Sequence, residues 1–121
     1  NSLYLKVGAI HGTVLCKKSE PICYMEDVGR HNAVDKISGW MISEGIKADD
    51  KILYTTGRLT SEMVIKTAHM GIPILISRSG FTAWGVELAK KLNMTLIGRM
   101  KGQRFCCLSG EQRLIFDFKL E

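Results

Sequence analysis

The sequence predicts an α/β sandwich built on a mixed sheet, and three observations support that prediction. Short apolar runs typical of buried strands alternate with longer stretches whose apolar residues recur at helical spacing. A hairpin pattern precedes this alternation, and a hairpin adds antiparallel strands to an otherwise parallel sheet. With 121 residues, 45% of them hydrophobic and 24% charged, the chain has the composition of one folded domain. No linker or repeat divides it, so we expect a single domain over residues 1–121.

The first elements are a short helix and a hairpin. The segment before Val14 fits both a strand and a helix, and we favour a helix that ends near Gly8. Residues 12–16 and 21–25 are predicted strands around a turn at 17–20, because Pro21 holds the residue before it in an extended conformation.

A long helix is predicted next, from Arg30 to Glu44, with Gly45 as its C-cap. Its apolar positions are Ala33, Val34, Ile37, Met41 and Ile42.

The rest of the chain alternates strand and helix. Strands are predicted at 51–55 and 73–77 from short apolar runs, with a helix from Thr60 to Met70 between them. A third helix opens at Thr82, and small residues on its buried face would let it lie close to the sheet. That face is predicted to hold Gly85, Ala89 and Leu92. Final strands are predicted at 95–98, 105–108 and 114–118, the last two paired across the turn at residue 110.

Three turns share one composition. They are Asp-Val-Gly-Arg-His-Asn at 27–32, Thr-Thr-Gly-Arg-Leu-Thr at 55–60 and Ser-Arg-Ser-Gly-Phe-Thr at 77–82, named here the Gly29, Gly57 and Gly80 turns. If their strands are parallel, all three emerge at the carboxyl edge of the sheet, where α/β folds bind ligands. Glycine lets backbone N–H groups approach an anion, and arginine grips phosphate through two parallel hydrogen bonds. The turns therefore predict a phosphate-binding site.

The predicted binding residues come from these turns and from the start of the long helix. They are Gly29, Arg30, His31, Asn32, Asp35, Lys36, Gly57, Arg58, Ser77, Ser79 and Thr82. For the polar residues around the Gly29 turn, helix capping by Asp27 or Asn32 and ion pairing by the acidic residues are alternatives. Neither GxxxxGK[ST] nor GxGxxG is present, so the turns match no known phosphate-loop fingerprint.

The net charge and the cysteine content indicate which ligands and metal sites the chain could have. The net charge is +5, which fits anionic partners and also an ordinary basic surface. Four cysteines at 16, 23, 106 and 107 form neither CxxC nor a zinc-ligand spacing, so we expect reduced thiols and no zinc. Neighbouring Cys106 and Cys107 would point to opposite faces of a strand. Without a bilayer-length apolar run or signal peptide, we expect a cytoplasmic protein with no membrane partner. We also expect no nucleic-acid partner.

Longer runs of the chain resemble one family closely. The run Glu-Asp-Val-Gly-Arg-His-Asn-Ala-Val-Asp-Lys at 26–36 is the most specific, followed by Gly57-Arg58 with Glu-Met-Val at 62–64, Gly-Ile-Pro at 71–73 and Val-Glu-Leu-Ala at 86–89. They resemble the formate dehydrogenase accessory protein family (FdhD), and Gly-Ala-Ile-His at 8–11 is similar to its Gly-Gly-Val-His element. The resemblance extends to about Arg113.

The resemblance implies a sulfurtransferase that moves sulfur from a cysteine desulfurase to a molybdenum or tungsten bis(guanine dinucleotide) cofactor for formate dehydrogenase. It also implies a cytidine deaminase-like three-layer α/β/α sandwich, usually a homodimer, whose three turns hold the guanine nucleotide; GDP would serve as an analogue. The family's sulfur-carrying CxxC and N-terminal domain precede Gly8, so we expect both to lie outside this chain. Arg99 and Cys106 stand where the family usually has an aromatic residue and an asparagine.

Two other functions are alternatives to sulfur transfer. A binding or chaperone module would hold the cofactor without chemistry. A zinc-dependent hydrolase of the deaminase fold would need HxE followed by PCxxC, whereas here Thr13 stands two positions after His11 and no PCxxC occurs. The lack of these two motifs disfavours the hydrolase.

Overall fold

The structure, a computed structural model, describes residues 11–18, 20–101 and 104–111. Its strands are β1 (His11–Lys17), β2 (Glu20–Asp27), β3 (Lys51–Thr55), β4 (Ile74–Ser77), β5 (Thr95–Lys101) and β6 (Arg104–Ser109). Its helices are α1 (Arg30–Glu44), α2 (Ser61–His69) and α3 (Ala83–Lys91). The helix predicted to end near Gly8 and the strand predicted at 114–118 lie outside the described residues.

The strands form one mixed sheet in the order β2-β1-β3-β4-β5-β6. β1 runs antiparallel to both β2 and β3, whereas β3, β4 and β5 are mutually parallel. β6 returns antiparallel to β5. The predicted hairpin, the parallel centre and the mixed α/β sandwich are therefore confirmed.

The hydrophobic core lies on one face of the sheet. Leu15, Leu53, Leu75 and Leu96 are fully buried there, and each pairs in register with the next across β1, β3, β4 and β5. Helices α1, α2 and α3 all contribute side chains to this cluster, among them Ile37, Met63 and Ala89. Burial of a large aliphatic side chain contributes about 1.5–3 kcal/mol, so this row anchors all three helices to one face of the sheet.

The helices end where local chemistry predicts. α1 has the predicted bounds, and Gly45 caps it with a left-handed φ of 65° that favours glycine. α2 and α3 begin after Thr60 and Thr82, whose side chains accept hydrogen bonds from the N–H groups of Met63 and Gly85. These threonines are N-caps rather than first helical residues.

Two apolar positions were predicted on the wrong side of their helices. Ile42 is 80% exposed, because it follows Met41 by one residue and so is rotated about 100° away from the core face. Leu92 is 46% exposed, because it is the C-cap residue of α3 and its φ and ψ of −89° and 3° leave the helical path. Gly85 and Ala89 are buried as predicted.

The cysteines carry free thiols, as expected. Cys106 pairs with Gly98 and Cys107 with Ile97, and these neighbouring positions point to opposite faces of β6. Within the described residues, no helix combines the length and the apolar character needed to cross a membrane.

Candidate functional site

The three glycine turns meet at one edge of the sheet, named here the carboxyl edge. β2 and β3 are parallel to each other because both run antiparallel to β1, and β4 is parallel to β3. Asp27, Thr55 and Ser77 therefore end their strands on the same side. The predicted common edge is confirmed.

The Gly57 and Gly80 turns are joined into one unit by hydrogen bonds. The Ser77 hydroxyl donates to the Gly57 carbonyl at 2.5 Å, and the Ser79 hydroxyl donates to the Thr56 carbonyl at 2.6 Å. The Leu59 N–H donates to the Gly80 carbonyl at 3.0 Å. The hydroxyls of Ser77 and Ser79 thus hold the two turns together, and the Ser77 side chain is buried.

Arg30 joins the Gly29 turn to this unit. A Cβ added at Gly57 would lie 2.9 Å from both Cβ and Cδ of Arg30, so the first residue of α1 packs against a backbone that only glycine leaves open. The Nε of Arg30 is buried and has no hydrogen-bond partner among the described residues. An arginine held by its aliphatic stem, with a donor left over, is well placed to bind an anion.

The start of α1 differs from the starts of the other helices. Its N-cap is Gly29, in an extended conformation with φ −101° and ψ 126°, and no side chain caps it. Predicted capping by Asp27 or Asn32 is therefore wrong, because the Asp27 carboxylate instead accepts from the Gly29 N–H at 2.9 Å. The first N–H groups of a helix have no partner within the helix, and they attract anions when uncapped.

Asp27 and Lys36 brace the Gly29 turn. The Lys36 Nζ lies 3.1 Å from the Asp27 carboxylate and donates to the Glu26 carbonyl at 2.9 Å. The Gly29 N–H, followed by the Lys36 ammonium, holds the pKa of the Asp27 carboxyl below its usual range. The Asn32 amide lies 3.5 Å from the same carboxylate. This carboxylate therefore stays ionised and its charge is matched by Lys36.

Two further predicted residues face α2. Asp35 pairs with Lys66 across 2.9 Å, which links α1 to α2. His31 Nε2 lies 3.5 Å from the carboxylate of the exposed Glu62, without the alignment of a hydrogen bond. The predicted ion-pairing role of the acidic residues is confirmed for Asp27 and Asp35.

The predicted residues therefore fall into two groups. At the edge, Arg30 and the exposed Arg58 have no carboxylate within ion-pair distance among the described residues. Asp35, Lys36 and Thr82 each have a structural partner, Thr82 as the cap of α3. The excess positive charge of the edge thus comes from its arginines.

Arg99 is an edge residue that was not among those predicted. β5 is parallel to β4, with Ile97 beside Ile76, so Gly98 and Arg99 follow at the carboxyl edge. Arg99 has a φ of 52°, a left-handed conformation that costs a non-glycine residue about 1 kcal/mol, and its N–H donates to the Ser79 carbonyl at 2.9 Å. A Gly-Arg pair after an apolar strand was the signal that marked the Gly29 and Gly57 turns, and it occurs here as well.

A cavity of about 400 Å³ lies at the opposite edge of the sheet. It is lined by Lys90, Asn93, Cys107, Leu108, Ser109, Gly110 and Glu111. None of the predicted binding residues lines it. The described residues contain no group of three or more His, Cys, Asp or Glu side chains arranged to hold a metal ion.

Comparison with known proteins shows which family carries these features. Residues 1–115 match the FdhD/NarQ family, a span that includes the three glycine turns and every described element. The chain belongs to the FdhD/NarQ family. Sulfur carrier proteins FdhD are among its relatives, with 38% identity over 114 residues in Listeria innocua and 34% over 112 residues in Geobacillus kaustophilus.

A solved structure shares the fold. The crystal structure of a formate dehydrogenase accessory protein from Desulfotalea psychrophila matches with a TM-score of 0.85 and 40% identity over 93% of this chain. The alignments cover 94% of this chain and 44% of the Listeria protein, 93% and 43% for the Geobacillus protein, and 49% of the Desulfotalea chain. The chain therefore spans less than half the length of these relatives.

Proposed function

We propose that this chain is the nucleotide-holding part of a sulfur carrier that serves formate dehydrogenase. Its carboxyl edge binds a guanine nucleotide portion of a molybdenum or tungsten bis(guanine dinucleotide) cofactor. The names of its relatives support the accessory role, and the resemblance described above supports the cofactor.

The arginines of the carboxyl edge are the observation that carries this proposal. Arg30 and Arg58 lack carboxylate partners in the described part of the chain, and Arg30 lies beside an uncapped helix N-terminus. Backbone N–H groups and guanidinium forks together form the kind of site that phosphate groups occupy in proteins. Each dinucleotide of the cofactor carries a pyrophosphate, so the charge of the edge is complementary to it.

Three of the four thiols of this chain favour holding over chemistry. Burial raises the pKa of Cys16, Cys23 and Cys107, which makes each a weak nucleophile near neutral pH. Sulfur would therefore reach the cofactor from a cysteine desulfurase through cysteines outside these 121 residues, in the family's CxxC. The same proposal places the longer protein in the cytoplasm as a homodimer.

Calorimetry with GDP tests the proposed site. The double variant Arg30→Ala with Arg58→Ala removes two guanidinium groups, and we expect its GDP affinity to fall by about tenfold or more, since hydrogen bonds to charged groups contribute about 1.5–3 kcal/mol each. The control, Lys47→Ala with Lys91→Ala, removes the same charge from exposed positions away from the edge and should keep the wild-type affinity. Equal GDP affinity in the wild type and the double arginine variant would refute the site.

A further inference from the structure

Arg99 and Phe81 form a packed pair at the carboxyl edge. The Arg99 guanidinium lies over the Phe81 ring, 5.3 Å from its centroid. The same ring lies against Gly98, where an added Cβ would come within 3.0 Å of Phe81 Cδ2. Phe81 itself packs against the core cluster. The guanidinium therefore rests on a firmly seated aromatic ring.

The backbone of Arg99 is also held in place by a contact with the Gly80 turn. Its left-handed φ of 52° places a non-glycine residue in a sparsely populated conformation, and the hydrogen bond from its N–H to Ser79 ties it to the Gly80 turn. Backbone outliers of this kind persist only where the surroundings hold them, and they cluster at binding sites.

The donors of Arg99 remain available. The guanidinium is exposed, and neither a carboxylate nor another acceptor of the described residues pairs with it. Its Nη2 lies 3.9 Å from the point where a Gly80 Cβ would stand, so the lack of a side chain at Gly80 leaves space beside the guanidinium. A guanidinium that lies over an aromatic ring keeps N–H donors for contacts with two phosphate oxygens at once.

We propose that Arg99 binds a phosphate group of the nucleotide at the carboxyl edge. This inference rests on the proposed function and adds a residue to its site. β5 and β3 lie two strand spacings apart, about 10 Å, a gap that the side chains of Arg99 and Arg58 can close around one diphosphate. The planar fork of arginine suits a diphosphate because it contacts two oxygens at once.

Calorimetry with GDP, inorganic pyrophosphate and guanosine tests the assignment. Arg99→Asn removes the guanidinium, and asparagine tolerates the left-handed φ, so the fold should persist; circular dichroism melting checks this. We expect GDP and pyrophosphate affinities to fall about tenfold and guanosine binding to stay unchanged. Arg99→Lys keeps the charge without the fork and should lose about threefold. Lys47→Asn is the matched control and should bind all three ligands as the wild type does.

The outcomes separate this inference from the proposed function. Wild-type affinity for GDP and pyrophosphate in Arg99→Asn would overturn the role of Arg99 and leave the site itself standing. A loss of guanosine binding with pyrophosphate binding intact would overturn it too, because Arg99 would then contact the base. A wild-type chain that binds neither GDP nor pyrophosphate would overturn both proposals.

Discussion

Replacement of Gly57 by alanine tests how the site is assembled. The new Cβ would stand 2.9 Å from Cβ and Cδ of Arg30, closer than carbon atoms normally approach. The Cδ can rotate away, but the Cβ is fixed to the backbone of α1. The Gly57 turn cannot retreat freely either, because its carbonyl accepts from Ser77 and its N–H donates to Thr55 at 3.0 Å.

The expected cost follows from that geometry. The φ of Gly57 lies outside the left-handed region, so alanine meets no intrinsic backbone penalty there and the whole effect comes from crowding. Overpacking of this kind destabilises proteins by about 1–3 kcal/mol. We expect Gly57→Ala to unfold at lower urea concentration, with a melting temperature lowered by roughly 4 °C for each kcal/mol.

Gly39→Ala supplies the matched control. Gly39 lies within α1 with nothing within 4 Å of an added Cβ, so alanine there should stabilise the chain by about 0.5–1 kcal/mol through helix propensity. Adding Arg30→Ala to Gly57→Ala removes the Cδ contact and should restore part of the lost stability. A Gly57→Ala variant as stable as the wild type would show that Arg30 does not pack on this turn.

Two further predictions concern charge and thiols. The pKa of Asp27 is lowered in the folded state, so its ionised carboxylate stabilises the fold. This contribution to the free energy of unfolding is fully present above the usual carboxyl pKa of about 4 and is lost as the pH falls through the pKa of the folded state. In urea unfolding, Asp27→Asn should therefore be less stable than the wild type at pH 7, and the difference in the free energy of unfolding should disappear below about pH 4. A difference that persists at low pH would contradict the ion pair with Lys36. Because burial raises the pKa of Cys16 and Cys107, iodoacetamide at pH 7 should label both more slowly in the folded chain than in urea, as followed by mass spectrometry. Either thiol reacting faster than free cysteine would count against a holding role.

The common edge of the three turns could be predicted because it depends on topology more than on side-chain packing. Glycine and arginine after an apolar run identify a turn, and parallel strands bring such turns to one edge whatever the details of the core. Gly98-Arg99 carries the same signal but was not included in the predicted set. The parallel pairing of β5 with β4 shows that Arg99 lies at the same edge.

The roles of individual polar residues could not be predicted in the same way. Ser77, Ser79 and Thr82 have the chemistry of phosphate ligands, yet the structure uses their hydroxyls to join turns or cap a helix. Asp27 has the chemistry of a helix cap, yet it accepts from the N–H of the N-cap residue itself. A side chain that can make several short-range hydrogen bonds takes the one that the surrounding backbone offers, and that backbone is defined only by the fold.

By itself, the sequence determined the order of the described elements, the ends of α1 and the common edge of the three turns. These features depend on periodicity and on contacts within a few residues. Only the tertiary structure decided that Arg30 rests on Gly57 and that Arg99 rests on Phe81, since each contact joins segments that lie far apart in the chain. The glycine turns predicted a common edge, and packing between the turns decided how its arginines are held there.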